Sequence, residues 1–437
     1  MFRALLHVIW LSLQGFVYFY PLFMSYLWMM GAALFHFRME RGEPHFSHPP
    51  RQVDAAPVSI LIPCFNEGQN AEETLRHALA LDYPNFEVIA INDGSNDDTG
   101  AILERMAVRH AGLRVVHLAR NQGKAKALEA GALLARYEIL LCIDGDALLD
   151  PHCAHWMARH FLEDPSVAAV TGNPRIRNRS TLLGRIQVGE FSSIVGMIKR
   201  AQRTFGSLFT VSGVITAFRK SALHRVGYWS ADMLTEDIDI TWKLQRAGWD
   251  VRFEPHALVW ILMPETLRGL WKQRLRWATG GAQVLLRNFD VIRHPTLNHL
   301  WPLLLELLLS LAWSWLLLVM LLLWLLGLVL PPGSVTPVGS PLIPQWGTAL
   351  LGGTCLLQFA LSQHFDGAYD RGLGRNYYWM VWYPVVFWTI NTAATVVGFI
   401  KALQLRSGQR ARWVSPDRGA HLDRRRTVRV AKNTDHG

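Results

Sequence analysis

Long apolar segments near both ends of the sequence limit the folds open to this chain more than any other feature. Residues 13–35 contain no charged side chain, and residues 300–330 form a longer segment with a single glutamate. Two further apolar segments cover residues 346–363 and 377–400. Each is long enough, or nearly so, to cross a bilayer. The sequence therefore predicts a membrane protein. Because the first segment lacks a small-residue cleavage site, we interpret it as an anchor rather than a signal peptide.

Between the apolar ends, residues 55–265 have the pattern of a soluble α/β domain. Short β-rich apolar runs alternate with helix-like segments, and the runs cover residues 58–62, 86–91, 114–119, 139–143 and 167–171. Repeated strand–helix–strand units pair their strands in parallel and place helices on both faces. We therefore expect a Rossmann-like, mostly parallel sheet flanked by transmembrane helices.

The charge distribution predicts which side of the membrane carries this domain. Arg38 and Arg41 precede the domain and Lys272 follows it, whereas the loop at 331–345 contains no Lys or Arg. The positive-inside rule therefore places the domain in the cytoplasm. Three C-terminal spans would put the Arg-rich tail at 403–437 outside, so we expect one segment not to be a simple span and the tail to be cytoplasmic.

The predicted organisation has five parts. They are an N-terminal transmembrane anchor (1–36), the α/β domain (55–265), amphipathic interfacial helices (266–298), a C-terminal transmembrane region (300–402) and a basic tail (403–437). The net charge of +10 is explained by the basic residues around the membrane segments. Since the sequence has no groove-reading motif and no basic stripe with interleaved aromatic residues, we expect no nucleic-acid partner.

Acidic and amide side chains follow three of the predicted strands. Asn66 and Glu67 come after the first strand, Asp93 after the second, and Asp144 and Asp146 after the strand at 139–143. Each of these residues alone also suits an ordinary turn. Ligands of parallel sheets bind beyond the carboxyl ends of the strands, so these side chains should face one crevice. Carboxylates gathered there repel one another unless a cation is present.

A nucleoside diphosphate carried with a divalent metal fits this crevice, because Mg²⁺ or Mn²⁺ prefers one or two carboxylates together with phosphate oxygens. The sequence has neither a Walker loop nor a GxGxxG motif, which argues against an NTPase or a dinucleotide enzyme. Gly123 and Lys124 begin a predicted helix, where a phosphate would bind. A solvated lysine at the start of that helix is the alternative.

The stretch MLTEDIDITWKLQRAGW (233–249) places Glu236, Asp237 and Asp239 at the start of a helix-like pattern. Thr235 is a suitable N-cap, and acids in a first turn are stabilised by the helix dipole. The alternative is that one carboxylate accepts a proton in a reaction. The local pattern alone favours the capping interpretation.

Four short motifs occur together in one order, and they are NDGS at 92–95, DGD at 144–146, TED at 235–237 and QRLRW at 273–277. This ordered set, on an α/β domain between membrane spans, resembles the processive family-2 glycosyltransferases, which include cellulose, chitin and hyaluronan synthases. Longer stretches such as CIDGDALLD and WILMPETLRGLWKQRLRWA resemble the bacterial members that polymerise N-acetylglucosamine for biofilms. The resemblance covers nearly the whole chain and implies a GT-A type fold.

The resemblance also implies roles for the matching positions. Asp93 and Asp144 would bind the donor nucleotide, Asp146 would hold the metal, Asp237 would be the general base, and Gln273, Arg276 and Trp277 would hold the acceptor sugar and the leaving diphosphate. Asn66, Glu67 and Lys124 are added as candidates for donor binding. With Asp237 as the base, Glu236 and Asp239 are expected to be helix-start and surface groups. Trp277 also suits an interfacial aromatic of an amphipathic helix.

The activity implied by the resemblance is inverting, processive transfer of N-acetylglucosamine from UDP-GlcNAc to a growing β-1,6-linked polymer at the bacterial inner membrane. The implied partners are membrane lipid and a small membrane subunit, with cyclic di-GMP acting through the complex. Three alternatives remain, namely another β-linked polymer such as chitin or hyaluronan, single transfer to a polyprenyl phosphate, or a non-catalytic scaffold or transporter subunit.

Overall fold

The computed structural model describes residues 2–50, 55–330 and 346–405, and an eight-stranded sheet lies at its centre. The strands are β1 (Val58–Cys64), β2 (Phe86–Asn92), β3 (Leu113–His117), β4 (Ile139–Ile143), β5 (Leu148–Leu149), β6 (Val167–Ile176), β7 (Ile215–Arg219) and β8 (Asp250–Ile261). Their order is β3-β2-β1-β4-β7-β6-β8-β5. The strands β5 and β7 run antiparallel to their neighbours and the others pair in parallel. The prediction of a mostly parallel sheet is confirmed.

Helices cover both faces of the sheet and extend from its ends. They are α1 (Phe2–Phe35), α2 (Ala71–Leu79), α3 (Thr99–Arg109), α4 (Lys124–Leu134), α5 (Cys153–Glu163), α6 (Leu182–Glu190), α7 (Ile198–Phe205), α8 (Lys220–Arg225), α9 (Glu236–Arg246), α10 (Leu267–Arg287), α11 (Trp301–Val329), α12 (Trp346–Asp366) and α13 (Tyr383–Gln404). Single π-helical stretches occur at His36–Glu40 and Phe191–Met197. Short 3₁₀ helices occur at Phe289–Arg293, Pro295–Leu300 and Leu373–Trp382.

The central strands are apolar because they are buried on both faces, as parallel sheets usually are. Alternate residues of β1 divide between two cores: Ile60 and Ile62 pack with α2, α3 and α5, and Leu61 packs with α4, α8 and α9. In the parallel register Cys64 of β1 lies opposite Asn92 of β2. The loops that follow β1, β2 and β4 therefore leave the same edge of the sheet.

The strand β7 brings a further loop to this edge. It pairs antiparallel with β4, so that Ile215 lies opposite Ile143. Because β7 runs in the opposite direction, its first residue lies where β4 ends. The preceding residues 211–213 therefore adjoin the loop after β4, and a wholly parallel sheet would have placed them at the other edge.

Three helices in the described part of the chain are long and apolar enough to cross a membrane, namely Val8–Glu40, Pro295–Val329 and Val386–Gln404. The helix α12, at the second of the three predicted C-terminal segments (346–363), is not among them, and it carries Gln358 and Gln363 among its apolar residues. This finding agrees with the expectation that one C-terminal segment is not a simple span. The loop at 331–345 and the tail beyond 405 lie outside the described residues.

A buried ion cluster joins the ends of the first span and of α12 to the α/β domain. Arg200 of α7 donates to Glu40, at the end of the first span, at 2.7 Å, and to Asp366, at the end of α12, at 2.9 Å. Arg175 of β6 pairs with the same Asp366 at 2.5 Å. Removing one partner of such a cluster leaves an uncompensated buried charge, which is strongly destabilising. The cluster therefore fixes α1 and α12 against the sheet.

Candidate active site

The loop after β1 is held against the loop after β2. The Asn66 backbone lies in the left-handed region (φ 56°), and its side-chain Oδ1 accepts a hydrogen bond from Asn96 N at 2.9 Å. The buried Glu67 donates its backbone N–H to Thr99 Oγ1 at 2.8 Å. These bonds place the two predicted donor-binding residues at the carboxyl edge of the sheet, with Asn66 exposed and Glu67 below it.

Asp93 organises the loop that precedes α4. Its carboxylate accepts hydrogen bonds from the backbone N–H groups of Gln122 at 2.8 Å and Gly123 at 2.9 Å. Burial raises the pKa of Asp93, although these two donors oppose the shift. Gly123 has a φ of 92°, a conformation that favours glycine. Asp93 and Gly123 thereby set the direction of the next side chain, that of Lys124.

Lys124 lies at the centre of the site. Its Nζ contacts Asp144 Oδ1 at 2.5 Å and Glu236 Oε1 at 3.1 Å, and it donates to the carbonyl oxygen of Gly213 at 3.0 Å. The alternative of a solvated lysine is therefore wrong. Burial lowers the pKa of Lys124, but Asp144 and Glu236 outweigh it and raise that pKa overall, so the group is a permanent cation. It joins the loop after β4 to the start of α9.

Asp237 adjoins this lysine through the same glycine. Its Oδ2 accepts a hydrogen bond from Gly213 N at 3.3 Å, and its Oδ1 accepts one from Ile238 N at 3.0 Å. Burial and the neighbouring Glu236 raise the pKa of Asp237 to about 6, while Lys124 and Arg276 act in the opposite direction. A carboxylate with this pKa is ionised at neutral pH and is a better proton acceptor than an ordinary aspartate.

The prediction that Glu236 and Asp239 are surface groups is wrong. Glu236 is 9% exposed and pairs with Lys124, and Asp239 is 1% exposed and accepts from Arg287 of α10 at 3.2 Å. Thr235 occupies the N-cap position, but among the described residues its hydroxyl has no hydrogen-bond partner. The start of α9 is buried because α4 and α10 pack against it, which the local sequence does not reveal.

A residue that the sequence did not indicate lies beneath residues 211–213. The buried Lys199 of α7 donates to Ser212 Oγ at 2.6 Å and to Thr171 Oγ1 at 3.3 Å. Burial lowers the pKa of Lys199 to about 7, although the negative charge of Asp237 acts to raise it. Nothing in the α7 sequence distinguishes Lys199 from its basic neighbours, so only the three-dimensional structure identifies it.

Asp144 and Asp146 follow β4, and Asp146 is the predicted ligand of a divalent cation. The Gly145 carbonyl between them accepts from Thr74 Oγ1 at 3.0 Å, which fixes this loop against α2. Asp146 is 5% exposed, whereas the side chain of Asp144 is 25% exposed. Within the described ranges, no three His, Cys, Asp or Glu side chains cluster. A cation shared with a diphosphate needs only one or two protein carboxylates, so the donor set fits Mg²⁺ or Mn²⁺.

The helix α10 packs against the start of α9 and forms the second side of the site. Gln273, Arg276 and Trp277 are three and four residues apart and therefore share one face. Arg276 donates to the carbonyl of Leu234 at 3.4 Å, just before α9, and its charge lowers the pKa of Asp237. Gln273 contacts Met263 Sδ at 3.8 Å, and Trp277 is half-buried. Of this set, Arg276 has the electrostatic contact with the candidate base.

Gly280 permits the close approach of α10 to α9. A Cβ at this position would lie 2.1 Å from Thr235 Oγ1, whereas a Cβ at the adjacent Gly281 would have only Phe209 nearby, at 4.0 Å. Alanine is intrinsically better than glycine in both helical positions by about 1 kcal/mol. We therefore expect Gly281→Ala to raise the melting temperature slightly. Gly280→Ala should lower it, because overpacking costs about 1–3 kcal/mol.

Thermal unfolding of the two variants in detergent, with transferase activity measured alongside, checks this expectation. Activity should fall in Gly280→Ala, because a displaced Thr235 moves the start of α9. Equal melting temperatures for the two variants would show that α10 accommodates the extra methyl group and that its contact with α9 can widen at no cost.

A mostly parallel α/β sheet with acidic residues and a partly buried lysine at its carboxyl edge, carried on membrane helices, is the architecture of a membrane glycosyltransferase of GT-A fold. Residues 55–280 match the model of the family described as "Glycosyltransferase like family 2". The chain belongs to this family.

Named relatives extend the similarity beyond the matched domain. The chain is 40% identical over 410 residues to the poly-β-1,6-N-acetyl-D-glucosamine synthase of Staphylococcus aureus strain COL, covering 93% of this chain and 98% of the relative. It is 39% identical over 412 residues to the corresponding synthase of Staphylococcus epidermidis, with the same two shares covered.

A solved structure supports the fold. The mannosyltransferase PcManGT from Pyrobaculum calidifontis, described in complex with GDP-Man and Mn²⁺, aligns with a TM-score of 0.58 at 22% sequence identity. It covers 90% of this chain and 99% of that chain.

Proposed function

We propose that this protein is a processive, inverting glycosyltransferase that polymerises N-acetylglucosamine from UDP-GlcNAc into a β-1,6-linked polysaccharide and helps to export it for biofilm formation. The observation that carries this proposal is the similarity to synthases of that polymer over 98% of their length. The residues gathered at the carboxyl edge of the sheet support it, since Lys124 and Asp237, both predicted site residues, meet there with Glu236 beside Arg276. A non-catalytic scaffold has no need of this arrangement.

Asp237 is the proposed general base. The attacking sugar hydroxyl is a weak nucleophile, so a carboxylate must accept its proton as the new bond forms. A single displacement inverts the anomeric centre and needs only this one base. The Gly213 N–H donates to one carboxylate oxygen, which fixes the orientation of Asp237. The raised pKa matches proton transfer near neutral pH.

The donor diphosphate is proposed to bind between the loop after β4 and α10. Lys124 and Arg276 provide positive charge for the UDP that leaves. The nucleotide part of the donor is proposed to bind to Asn66, Glu67, Asp93 and Asp144. Asp146 would hold Mg²⁺ or Mn²⁺, which when bound supplies further stabilisation of negative charge on the diphosphate.

Gln273 and Trp277 are proposed to hold the acceptor sugar. The half-buried indole of Trp277 offers an apolar face to a sugar ring, and the amide of Gln273 can bond to sugar hydroxyl groups. Both lie on α10, next to Arg276, so the acceptor would meet the donor beside Asp237. This position also directs the polymer toward the membrane helices.

We further propose that the protein resides in the bacterial inner membrane with its α/β domain in the cytoplasm. The basic residues Arg38, Arg41 and Lys272 at the domain's flanks support this orientation. The three candidate spans in the described part of the chain form a thin wall for a polymer path, so a small membrane subunit and lipid are proposed to complete it. Regulation by cyclic di-GMP would act through that complex.

Activity should fall as the pH drops through about 6. Asp237 accepts a proton only when it is ionised, and its pKa is raised to about 6, so the active fraction is lost below that pH. Since Lys124 lowers this pKa, Lys124→Met should move the acid limb to higher pH as well as slow the reaction. The measurement is kcat/KM for UDP-GlcNAc between about pH 5 and 8.

Lys126→Met is the matched control for this profile. Lys126 lies on the same helix and pairs with Glu129 at 2.5 Å, away from the site. The acid limb of the Lys126→Met profile should coincide with that of the wild type. An acid limb near pH 4 in the wild type, or a limb that moves downward in Lys124→Met, would contradict the role of Asp237.

The test of the proposed function is incorporation of labelled N-acetylglucosamine from UDP-GlcNAc by membranes that carry this chain, with and without the small subunit. A product that a β-1,6-specific glycosidase degrades is the expected result. A product that resists this enzyme but is degraded by chitinase or hyaluronidase would retain the fold and overturn the linkage. A single sugar attached to a lipid would overturn processivity.

A further inference from the structure

Arg274 lies inside the QRLRW motif but has no role in the scheme above. Its side chain is 6% exposed, and its Nη2 donates to Glu190 Oε2 at 2.5 Å. Glu190 is 1% exposed and comes from the end of α6, directly before the π-helical stretch Phe191–Met197. A π-helical turn inside a helix is uncommon and is often found at functional sites.

The same carboxylate binds a third element. Tyr383, the first residue of α13, donates its hydroxyl to Glu190 Oε1 at 3.2 Å. The two oxygens of Glu190 therefore hold α10 through Arg274 and α13 through Tyr383. Tyr383 also stacks on Phe387 of α13, with ring centroids 5.1 Å apart. This arrangement leaves the guanidinium little freedom to move.

The fixed guanidinium lies against the indole of Trp277. The Arg274 Cζ is 4.7 Å from the centroid of the Trp277 ring and 5.9 Å from that of Phe387. An arginine over an aromatic face is attracted by the ring quadrupole, and the attraction is larger where water is excluded. Arg274 thus restricts the rotation of Trp277, which is only half-buried.

We propose that Arg274, fixed by Glu190 and Tyr383, is the positioning residue that holds the Trp277 ring in the orientation that receives the acceptor end of the polymer. The inference rests on the proposed function, because it assumes that Trp277 binds the acceptor sugar. Arg274 acts through Trp277 and does not touch the donor. It also joins the acceptor platform to α13, so that the platform and the last membrane helix move together.

A structural role alone would predict a different result. A buried ion pair is weak evidence for stability, and breaking it affects the whole fold, including donor binding. A positioning role affects acceptor retention and leaves donor binding intact. The two interpretations are therefore separated by product length and by KM for UDP-GlcNAc, measured on the same variant.

The test variant is Arg274→Lys, which keeps the charge beside Glu190 but loses the planar group that stacks on the ring. We expect shorter polymer and a rate of elongation lower by about two- to thirtyfold, with KM for UDP-GlcNAc unchanged. The matched control is Arg268→Lys on the same helix, whose side chain is exposed. It should leave product length unchanged.

A double-mutant comparison shows whether Arg274 acts through Trp277. In a Trp277→Ala background, Arg274→Lys should have no further effect on product length. An equal effect in both backgrounds, or a raised KM for UDP-GlcNAc with unchanged length, would overturn the proposal. If Arg274→Lys does not fold, Tyr383→Phe removes only the hydroxyl that holds Glu190, and it should shorten the polymer in the same Trp277-dependent way.

The outcomes also separate this inference from the proposed function. A wild type that makes polymer of normal length together with an unaffected Arg274→Lys would refute the inference alone. A wild type that polymerises a different UDP-sugar would refute the proposed product, and the length comparison repeated with that sugar would still test Arg274. A wild type that forms no polymer from any UDP-sugar would overturn both.

Discussion

Replacing Asp237 with asparagine should lower kcat for sugar transfer by about 10²- to 10⁴-fold, the range expected for a general base, and should change KM for UDP-GlcNAc little. The amide is isosteric and its oxygen can still accept the Gly213 N–H, which now donates to Asp237 at 3.3 Å. It cannot accept a proton from the acceptor hydroxyl at neutral pH. Initial rates of UDP release and of labelled sugar incorporation measure the effect.

Asp290→Asn is the control for this variant. Asp290 pairs with Arg246 at 2.8 Å, and its side chain is 43% exposed, so the pair contributes little to stability. The control should retain the wild-type rate. A rate within tenfold of wild type in Asp237→Asn would remove Asp237 as the base. Glu236→Gln would then be the next variant, although its contact with Lys124 predicts an effect on donor binding.

The local sequence was sufficient to predict the acidic edge of the sheet. A short apolar run followed by an acid identifies a strand end, and parallel pairing brings such ends together without knowledge of any other contact. Asp93 and Asp144 lie at this edge for that reason. The ordered motifs then indicated α10 as the second side of the site, because the QRLRW spacing defines one helix face.

The contacts that complete the site depend on the direction of β7, which the spacing of apolar residues does not indicate. Lys124 and Gly213 are 89 residues apart, and they meet because β7 is inserted antiparallel beside β4. No strand at Ile215–Arg219 is predicted from the sequence, so neither this strand nor its direction is anticipated. Lys199 was missed for the same reason, since it supports residues that only this reversal brings to the carboxyl edge.

The acids of α9 show how a correct local rule gives a wrong global result. A dipole-stabilised first turn is usually solvated, and this rule predicted exposed positions for Glu236 and Asp239. The helix start is instead packed between α4 and α10, so each buried carboxylate takes a basic partner, Lys124 and Arg287 respectively. The sequence shows how many charged side chains lie at the start of α9, but the packing of α4 and α10 against it determines which of them form pairs.

Removing divalent cations should abolish polymer synthesis. A bound cation stabilises charge on the departing diphosphate by several kcal/mol, so EDTA should lower the rate at least about 10²-fold, and added Mn²⁺ or Mg²⁺ should restore it. Lys124 already neutralises Asp144 through a contact of 2.5 Å, which is why we assign the cation to Asp146. Asp146→Asn should then raise the Mn²⁺ concentration needed for half-maximal rate by at least about tenfold.

Binding of UDP by calorimetry provides a readout that does not depend on turnover. The wild type should bind UDP more tightly with Mn²⁺ than with EDTA, and Asp146→Asn should lose most of this difference. Asp150→Asn is the matched control, because Asp150 lies four residues further along and its carboxylate accepts from His152 N at 3.0 Å, as a turn cap does. UDP affinity that is equal with and without Mn²⁺ would show that Lys124 and Arg276 alone neutralise the diphosphate. The acidic residues at the carboxyl edge of the sheet would then pair with Lys124 and would not bind a metal ion.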